Sequence, residues 1–280
     1  MEVYKTKAEL ALFSTNAKKK KETVGFVPTM GALHDGHMSL IRKSVSENNY
    51  TVCSIFVNPT QFNNKKDFER YPITIDEDLK KLETEKCDVV FLPSVNEMYP
   101  DPDNTQYDLG GIDKPMEGVF RPGHFNGMAM IVLKLFAAAN ADVAYFGEKD
   151  FQQLAIIKYI TKRYNVPIKI VGCSTLRDED GLAMSSRNLL LNADQRKNAL
   201  AISQTLFGTK QKVNKDSVEN VKAWAKNFIS QTSNLKLEYF EIVNSETLES
   251  ILDWSDAENI NACVAAYAGE VRLIDNVKLK

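Results

Sequence analysis

Histidine is scarce in this chain: there are three in 280 residues, at 34, 37 and 124, and two of them share one ten-residue stretch. Cysteine is nearly as sparse. The four, at 53, 87, 173 and 263, are isolated, so they supply neither a paired metal-ligand motif nor a disulfide framework, and they suit a reducing compartment. A surplus of charge is missing too. The formal net charge is −2, which gives no overall basic field for nucleic acid and no overall acidic field against phosphates. The most apolar helix candidate, Met128 to Ala139, is short and interrupted by Lys134, whereas a membrane span needs about 20 mainly apolar residues. The N-terminus mixes Glu2, Lys5, Lys7 and Glu9 among apolar residues and lacks the continuous apolar core of a signal peptide. A cytoplasmic location is expected, with no membrane and no nucleic acid among the partners. No Gly-x-Gly-x-x-Gly occurs near the histidines, which argues against a dinucleotide fingerprint.

What is present is an ordinary globular composition, 44% hydrophobic, enough for a sizeable core in one large or two moderate domains. Apolar runs predict strands at Val24 to Val27, Val52 to Val57, Val89 to Leu92, Val143 to Phe146 and Ile168 to Val171. Helical periodicity falls between them, most clearly over Asp76 to Glu85, Asn126 to Ala139 and Asp150 to Tyr164. Such alternation is the pattern of a parallel sheet covered on both faces. The expected fold is therefore α/β, a doubly wound, Rossmann-like nucleotide-binding domain over residues 1–175. A smaller α+β unit is expected over 176–280, with helices at about Ala193 to Phe207 and Ser217 to Gln231. Its strands are expected at Leu237 to Val243, Cys263 to Tyr267 and Val271 to Ile274. Ala268-Gly269-Glu270 suits a hairpin turn. The basic run Lys18 to Lys21 reads as a solvated helix end, and Trp224 with Phe228, four apart, as core packing.

The densest chemistry lies in Pro28-Thr29-Met30-Gly31-Ala32-Leu33-His34-Asp35-Gly36-His37. A buried strand precedes it, and Met38, Ile41 and Val45 follow at helical spacing, so it is a strand-to-helix turn. Unpaired amides and the positive end of the helix dipole make such a turn an anion site, and Gly31 and Gly36 remove side chains that would block the approach. Two other readings stand beside it: histidines that merely cap and pack the turn, or two ligands of a zinc ion. In doubly wound sheets ligands bind beyond the carboxyl ends of the strands, and three further segments carry polar groups there or after the last strand. One is Asn58-Pro59-Thr60-Gln61-Phe62. Another is Gly147-Glu148-Lys149-Asp150, followed by Gln152 and Gln153; Lys149 offers a mobile cation, and Asp150 either a helix cap or an acceptor for ribose hydroxyls. The third runs from Arg177 through Met184-Ser185-Ser186-Arg187 and reads as a mobile loop whose hydroxyls and guanidinium can wrap phosphate oxygens.

Taken in order, PTMGALHDGH at 28–37, NPTQF at 58–62, FRPGHFNG at 120–127, FGEKDFQQL at 146–154 and DGLAMSSRN at 180–188 resemble the pantothenate synthetase family. These are ATP-dependent, AMP-forming ligases of pantoate and β-alanine within the HxGH nucleotidyltransferase superfamily. The resemblance implies condensation of pantoate with β-alanine through a pantoyl adenylate, giving pantothenate, AMP and pyrophosphate. It makes His34, His37, Lys149 and Arg187 the catalytic residues. ATP would be bound by Met30, Gly31, Ala32, Leu33, His34, Asp35, Gly36 and His37, by Gly147, Glu148, Lys149 and Asp150, and by Leu176, Met184, Ser185, Ser186 and Arg187. Gln61 and Gln153 would hold pantoate through uncharged amide donors and acceptors, with β-alanine also near Gln61. Leu176 stands where the family is expected to carry valine, and Arg187 where related enzymes carry a lysine. Mg²⁺ is expected as an ATP-bridging ion with Asp76, Glu77 or Asp78 as helpers, the resemblance implies a homodimer, and the smaller unit is expected to close over the site. Another HxGH nucleotidyltransferase and a non-catalytic nucleotide-binding regulator remain the alternatives.

Overall fold

The computed structural model describes residues 1–62, 68–69 and 71–280. They form two compact units. The first comprises Met1–Asp113, Glu117–Glu148 and Gln153–Ser174, and the second Lys114–Met116, Lys149–Gln152 and Thr175–Lys280. The second unit thus takes in two short segments from earlier in the chain, which a single linear boundary does not express.

The first unit holds six parallel strands: β1 (Glu2–Tyr4), β2 (Val24–Thr29), β3 (Tyr50–Ile55), β4 (Val89–Phe91), β5 (Val143–Gly147) and β6 (Lys169–Cys173). Their spatial order is β1-β4-β3-β2-β5-β6. The chain therefore steps outward from β2 to β3 and β4, then returns to place β5 on the other side of β2. This reversal is the topological switch point at which open α/β sheets bind ligands. Among the described residues, helices α1 (Lys7–Lys19), α2 (Asp35–Glu47), α3 (Ile75–Thr84), α4 (Val95–Met98), α5 (Glu117–Phe120) and α6 (His124–Ala139) belong to this unit, as does α7 (Phe151–Arg163) from Gln153 onward.

Strand alternation sends neighbouring side chains to opposite faces. Phe26, Val52, Phe91, Ala144 and Phe146 join a core with Leu10 of α1, Met128 of α6 and Ile157 of α7. Val27, Cys53, Val90 and Tyr145 face the other way, onto Met38 and Ile41 of α2 and Leu82 of α3. Both faces are thus covered, as the near-continuous apolar runs imply. Strand β1 is an addition to the sequence reading, as is the body of helix α1, of which only the basic end at Lys18 to Lys21 was read. Three residues paired only to β4, Glu2 with Val89 through Tyr4 with Phe91, are too short an edge to leave a periodic signal.

In the second unit, α8 (Ala193–Lys212) and α9 (Val218–Ser230) pack on an antiparallel sheet ordered β7 (Leu235–Asn244), β8 (Ile260–Ala268) and β9 (Val271–Lys278). Ile202, Leu206, Val221 and Ile229 meet Phe240, Ile242, Val264 and Leu273 in one core. The β8 to β9 hairpin closes where Ala268 pairs with Val271, and Gly269 supplies the left-handed φ of 62° that the turn needs. Helix α8 opens with a reciprocal cap between Asn192 and Gln195, and α9 with Ser217 accepting from the Asn220 amide.

Candidate active site

The turn after β2 is built by hydrogen bonds that begin at Thr29. Its hydroxyl donates to the Ser54 carbonyl at 2.7 Å and accepts from the Gly31 amide at 3.2 Å. Gly31 and Ala32 then take left-handed φ values of 82° and 49°, tolerable for glycine and unfavourable for alanine. The next amides, of Ala32 and Leu33, donate to Asp78 Oδ2 and Oδ1 at 2.9 and 2.8 Å. Helix α2 begins immediately afterwards, with His34 as its N-cap residue and His37 at the third helical position.

These two histidines cap the helix reciprocally. His34 Nδ1 accepts from the Gly36 amide at 3.1 Å, and His37 Nδ1 accepts from the His34 amide at 3.3 Å; the rings lie 4.0 Å apart. An imidazole nitrogen that accepts from an amide carries no proton, so each neutral ring holds its hydrogen on Nε2. Open amides were the expected anion donors at this turn. The structure instead uses the amides of Gly31, Ala32, Leu33, His34 and Gly36 inside the turn, and converts two of them into side-chain N–H groups through the rings. The capping and phosphate readings thereby cease to compete, because the cap itself fixes which ring nitrogen donates.

The loop after β3 forms a single helical turn, Pro59–Gln61, with Asn58 as its cap. Gln61 is buried; its Oε1 accepts from Asn58 Nδ2 at 3.2 Å, and its Nε2 lies 2.8 Å from Met30 Sδ. Asn58 is itself held, donating to the Gly127 carbonyl at 3.1 Å and accepting from the Tyr99 hydroxyl at 2.8 Å. The third histidine, distant in sequence, proves local: buried His124 donates from Nδ1 to the Gln61 carbonyl at 2.7 Å. Gly127 is required here, since a Cβ would collide with the Thr60 carbonyl. His124, Tyr99 and Gly127 are site supports that sequence reasoning did not assign. FRPGHFNG carried two of them; their links, Gly127 to Asn58 and His124 to Gln61, span more than sixty residues and have no local pattern.

Gly147 ends β5, and half-buried Gln153 lies in the first turn of α7. Because β3 and β5 flank β2, the loops bearing Gln61, the histidines and Gly147 leave three adjacent strands at one edge. In the second unit, Lys149 Nζ lies 3.6 Å from Asp150 Oδ1, and the Lys149 carbonyl accepts from Asn276 Nδ2 at 2.9 Å.

The segment read as a mobile loop is a hydrogen-bonded hairpin. Met184 N donates to Leu176 O, Arg177 pairs with Ala183, and Asp178 N donates to Leu182 O. Arg196 bridges Asp178 and Asp180, and Arg177 makes two bonds to buried Asp275 at 2.6 and 2.9 Å. Burial pushes the Asp275 carboxyl above its ordinary range, against the pull of the Arg177 guanidinium. Leu176, whose backbone was expected to meet ATP, has its carbonyl committed to Met184. Beyond the hairpin, Ser185 caps the short turn Ser186–Leu190 by accepting from the Arg187 amide.

Of the acidic run at the start of α3, Asp76 and Glu77 are exposed, whereas Asp78 is fully buried and also accepts from the Thr74 hydroxyl at 3.2 Å. Asp78 is thus removed as a magnesium helper, since a buried carboxylate engaged by two amides cannot meet a hydrated ion. Among the described residues no group of three or more His, Cys, Asp or Glu is placed to hold a metal, and no helix is long and apolar enough to cross a membrane. Burial raises the thiols of Cys53, Cys87 and Cys173, the second to about 12 and the third to about 11. At neutral pH these are unreactive thiols rather than nucleophiles.

A parallel sheet wound on both faces, with His34-Asp35-Gly36-His37 at its switch point, is the architecture of a doubly wound α/β protein whose ligand edge carries the histidine turn. The family model for pantoate-beta-alanine ligase matches residues 2–278, and the chain belongs to that family. The pantothenate synthetase of Bacteroides fragilis is 50% identical over 273 residues, covering 98% of this chain and 95% of that protein. That of Bacteroides thetaiotaomicron is 49% identical over 280 residues, covering 100% and 99%. Among solved structures, the pantothenate synthetase of Thermus thermophilus superposes with a TM-score of 0.92 at 37% identity, covering 100% of this chain and 99% of that one. The pantoate-beta-alanine ligase of Francisella tularensis, complexed with beta-gamma ATP and beta-alanine, gives 0.82 at 36% identity, covering 100% and 98%. The chain is a ligase of the amide-forming kind, and neither alternative function finds support.

Proposed function

We propose that this chain condenses pantoate with β-alanine at the expense of ATP, and that the reciprocal histidine cap is its phosphate site. The carrying observation is the Nδ1 acceptance by His34 and His37, which commits both Nε2–H groups as donors. In the first step the pantoate carboxylate attacks the α-phosphorus and pyrophosphate leaves. Charge grows on phosphoryl oxygens, and positioned N–H donors stabilise it. His37 is the principal donor and His34 its neighbour. Lys149, Ser185, Ser186 and Arg187 bind the remaining phosphate oxygens; Gly147, Glu148, Asp150, Leu176 and Met184 complete the nucleotide contacts. In the second step the β-alanine amine attacks the pantoyl carbonyl and AMP departs. Neither step needs a protein nucleophile, in keeping with the buried cysteines.

Gln61 and Gln153 take pantoate, and Gln61 also borders β-alanine. A neutral carboxamide orients the attacking carboxylate without quenching its charge, and the Asn58 and His124 bonds hold Gln61 in one pose. Mg²⁺ would neutralise phosphate charge when bound with ATP, and exposed Asp76 and Glu77 are the side chains that would help to hold it. A homodimer, a cytoplasmic location and closure of the smaller unit belong to the same reading. Sedimentation tests the first: two chains per particle are expected, and a monomer at assay concentrations refutes it.

The function itself is tested by incubating the chain with ATP, Mg²⁺, pantoate and β-alanine. Pantothenate, AMP and pyrophosphate in equal amounts are expected; ADP and phosphate would refute the reading. Gln153→Ala should weaken pantoate binding by roughly 10- to 100-fold, the scale for losing hydrogen bonds to a charged group, and leave ATP nearly unaffected. Calorimetric titration of each ligand checks this, and equal losses for both contradict the assignment. On ATP binding, amide exchange should slow at Ser185 to Arg187 and change little along the hairpin of Leu176 to Met184, whose amides are already bonded. Unchanged exchange at saturating ATP counts against phosphate contact by that segment.

A further inference from the structure

We infer that Asp78 is the positioning residue of the phosphate turn, with Lys81 holding the turn's far end from one helical step further along α3. Asp78 is completely buried, and its two oxygens receive consecutive amides, Ala32 on one and Leu33 on the other. Successive amides beside left-handed residues form an anion-binding nest. Here an internal carboxylate fills the nest, so a substrate phosphate is met by the imidazoles instead. Lys81 Nζ donates to the Leu33 carbonyl at 2.6 Å, so the peptide units on both sides of Leu33 are fixed from residues three apart on one helix face. The next residue is His34, whose amide supplies the bond that orients His37.

The consequences run in sequence. Gly31 must lack a side chain, because a Cβ would come within 3.1 Å of both Asp78 Oδ2 and Ile55. Ala32 keeps its left-handed φ of 49° because the carboxylate rewards that conformation with two charge-assisted bonds. Release of the turn lets the His34 amide swing away from His37 Nδ1, and the protonated nitrogen of His37 is then no longer dictated by the fold.

This inference rests on the assignment of the α-phosphate to the two imidazoles, and its test separates the two. Asp78→Asn keeps the volume but turns one acceptor into an NH₂ group facing an amide. Long-range proton–nitrogen spectra of the histidine rings, recorded without ATP, report which ring nitrogen is protonated. Single-turnover pyrophosphate release reports the chemistry. Asp78→Asn is expected to mix the His37 tautomers and to slow release by about 100-fold, the scale of a misplacement near 1 Å. Lys81→Met, at an exposed position, should do the same more weakly, with Lys81→Arg restoring the wild-type spectrum. Altered spectra with normal release would uphold the clamp and remove phosphate from the histidines. Unaltered spectra in a folded Asp78→Asn overturn the clamp, and so do unaltered spectra in Lys81→Met should Asp78→Asn fail to fold.

Discussion

His37→Ala is expected to slow pantoate-dependent pyrophosphate release by roughly 100- to 1000-fold, the cost of losing one preorganised donor to a developing oxyanion. Two roles are removed together, since His37 Nδ1 also accepts from the His34 amide. His37→Gln separates them. Glutamine at the third helical position is a standard partner in a reciprocal cap, so it should restore the melting temperature of the alanine variant. Its amide N–H is a poorer match to the imidazole's position, and release should recover only in part. Rapid-quench measurement of pyrophosphate, beside thermal unfolding, reads both quantities. Near-normal release in His37→Ala would remove the residue from the chemistry.

Asp275→Ala should cost about 3 to 5 kcal/mol of stability, because it removes a buried carboxylate and leaves the half-buried Arg177 guanidinium without its counter-charge. The loss propagates along named bonds. Asp275 Oδ1 also accepts from the Asn276 amide at 2.8 Å, and Asn276 Nδ2 holds the Lys149 carbonyl. Arg177 in turn donates to the Gly181 carbonyl and lies over the Phe207 ring. One substitution therefore loosens the hairpin of Leu176 to Met184 and the backbone that carries Lys149. The paired change Arg177→Met with Asp275→Leu removes both charges and should regain most of the stability, but not the anchorage of Lys149. Denaturant unfolding of the single and double variants distinguishes these effects. A single variant within about 1 kcal/mol of the parent, the range of an exposed ion pair, contradicts this account.

The sheet was legible because five of its six strands read as apolar runs, those in its middle buried on both faces; β1, a three-residue edge, had no such run. The histidine turn was legible as a strand-to-helix junction with a cap among its readings, but the reciprocal bonding of the two rings was not. Helix-start patterns favour Ser, Thr, Asp or Asn followed by Glu or Gln, so two histidines in those places left capping and anion binding side by side as readings. Asp78 was hidden for another reason. Its acidic run suggested only a helper for Mg²⁺, and only the fold brings it to amides some 45 residues away. His124 and Tyr99 escaped in the same way, as long-range partners of the Gln61 loop. The hairpin from Leu176 to Met184 looked mobile because its polar residues are spent on each other and on Arg196 and Asp275, partners that no local spacing reveals.

The central claim is that the histidine cap serves attack by pantoate on the α-phosphorus. Quench-flow with ATP, Mg²⁺ and pantoate, with β-alanine omitted, tests it most directly. The account predicts one rapid equivalent of pyrophosphate per active site, dependent on pantoate, accompanied by enzyme-bound pantoyl adenylate. Pyrophosphate release that is independent of pantoate, or that waits for β-alanine, would contradict it.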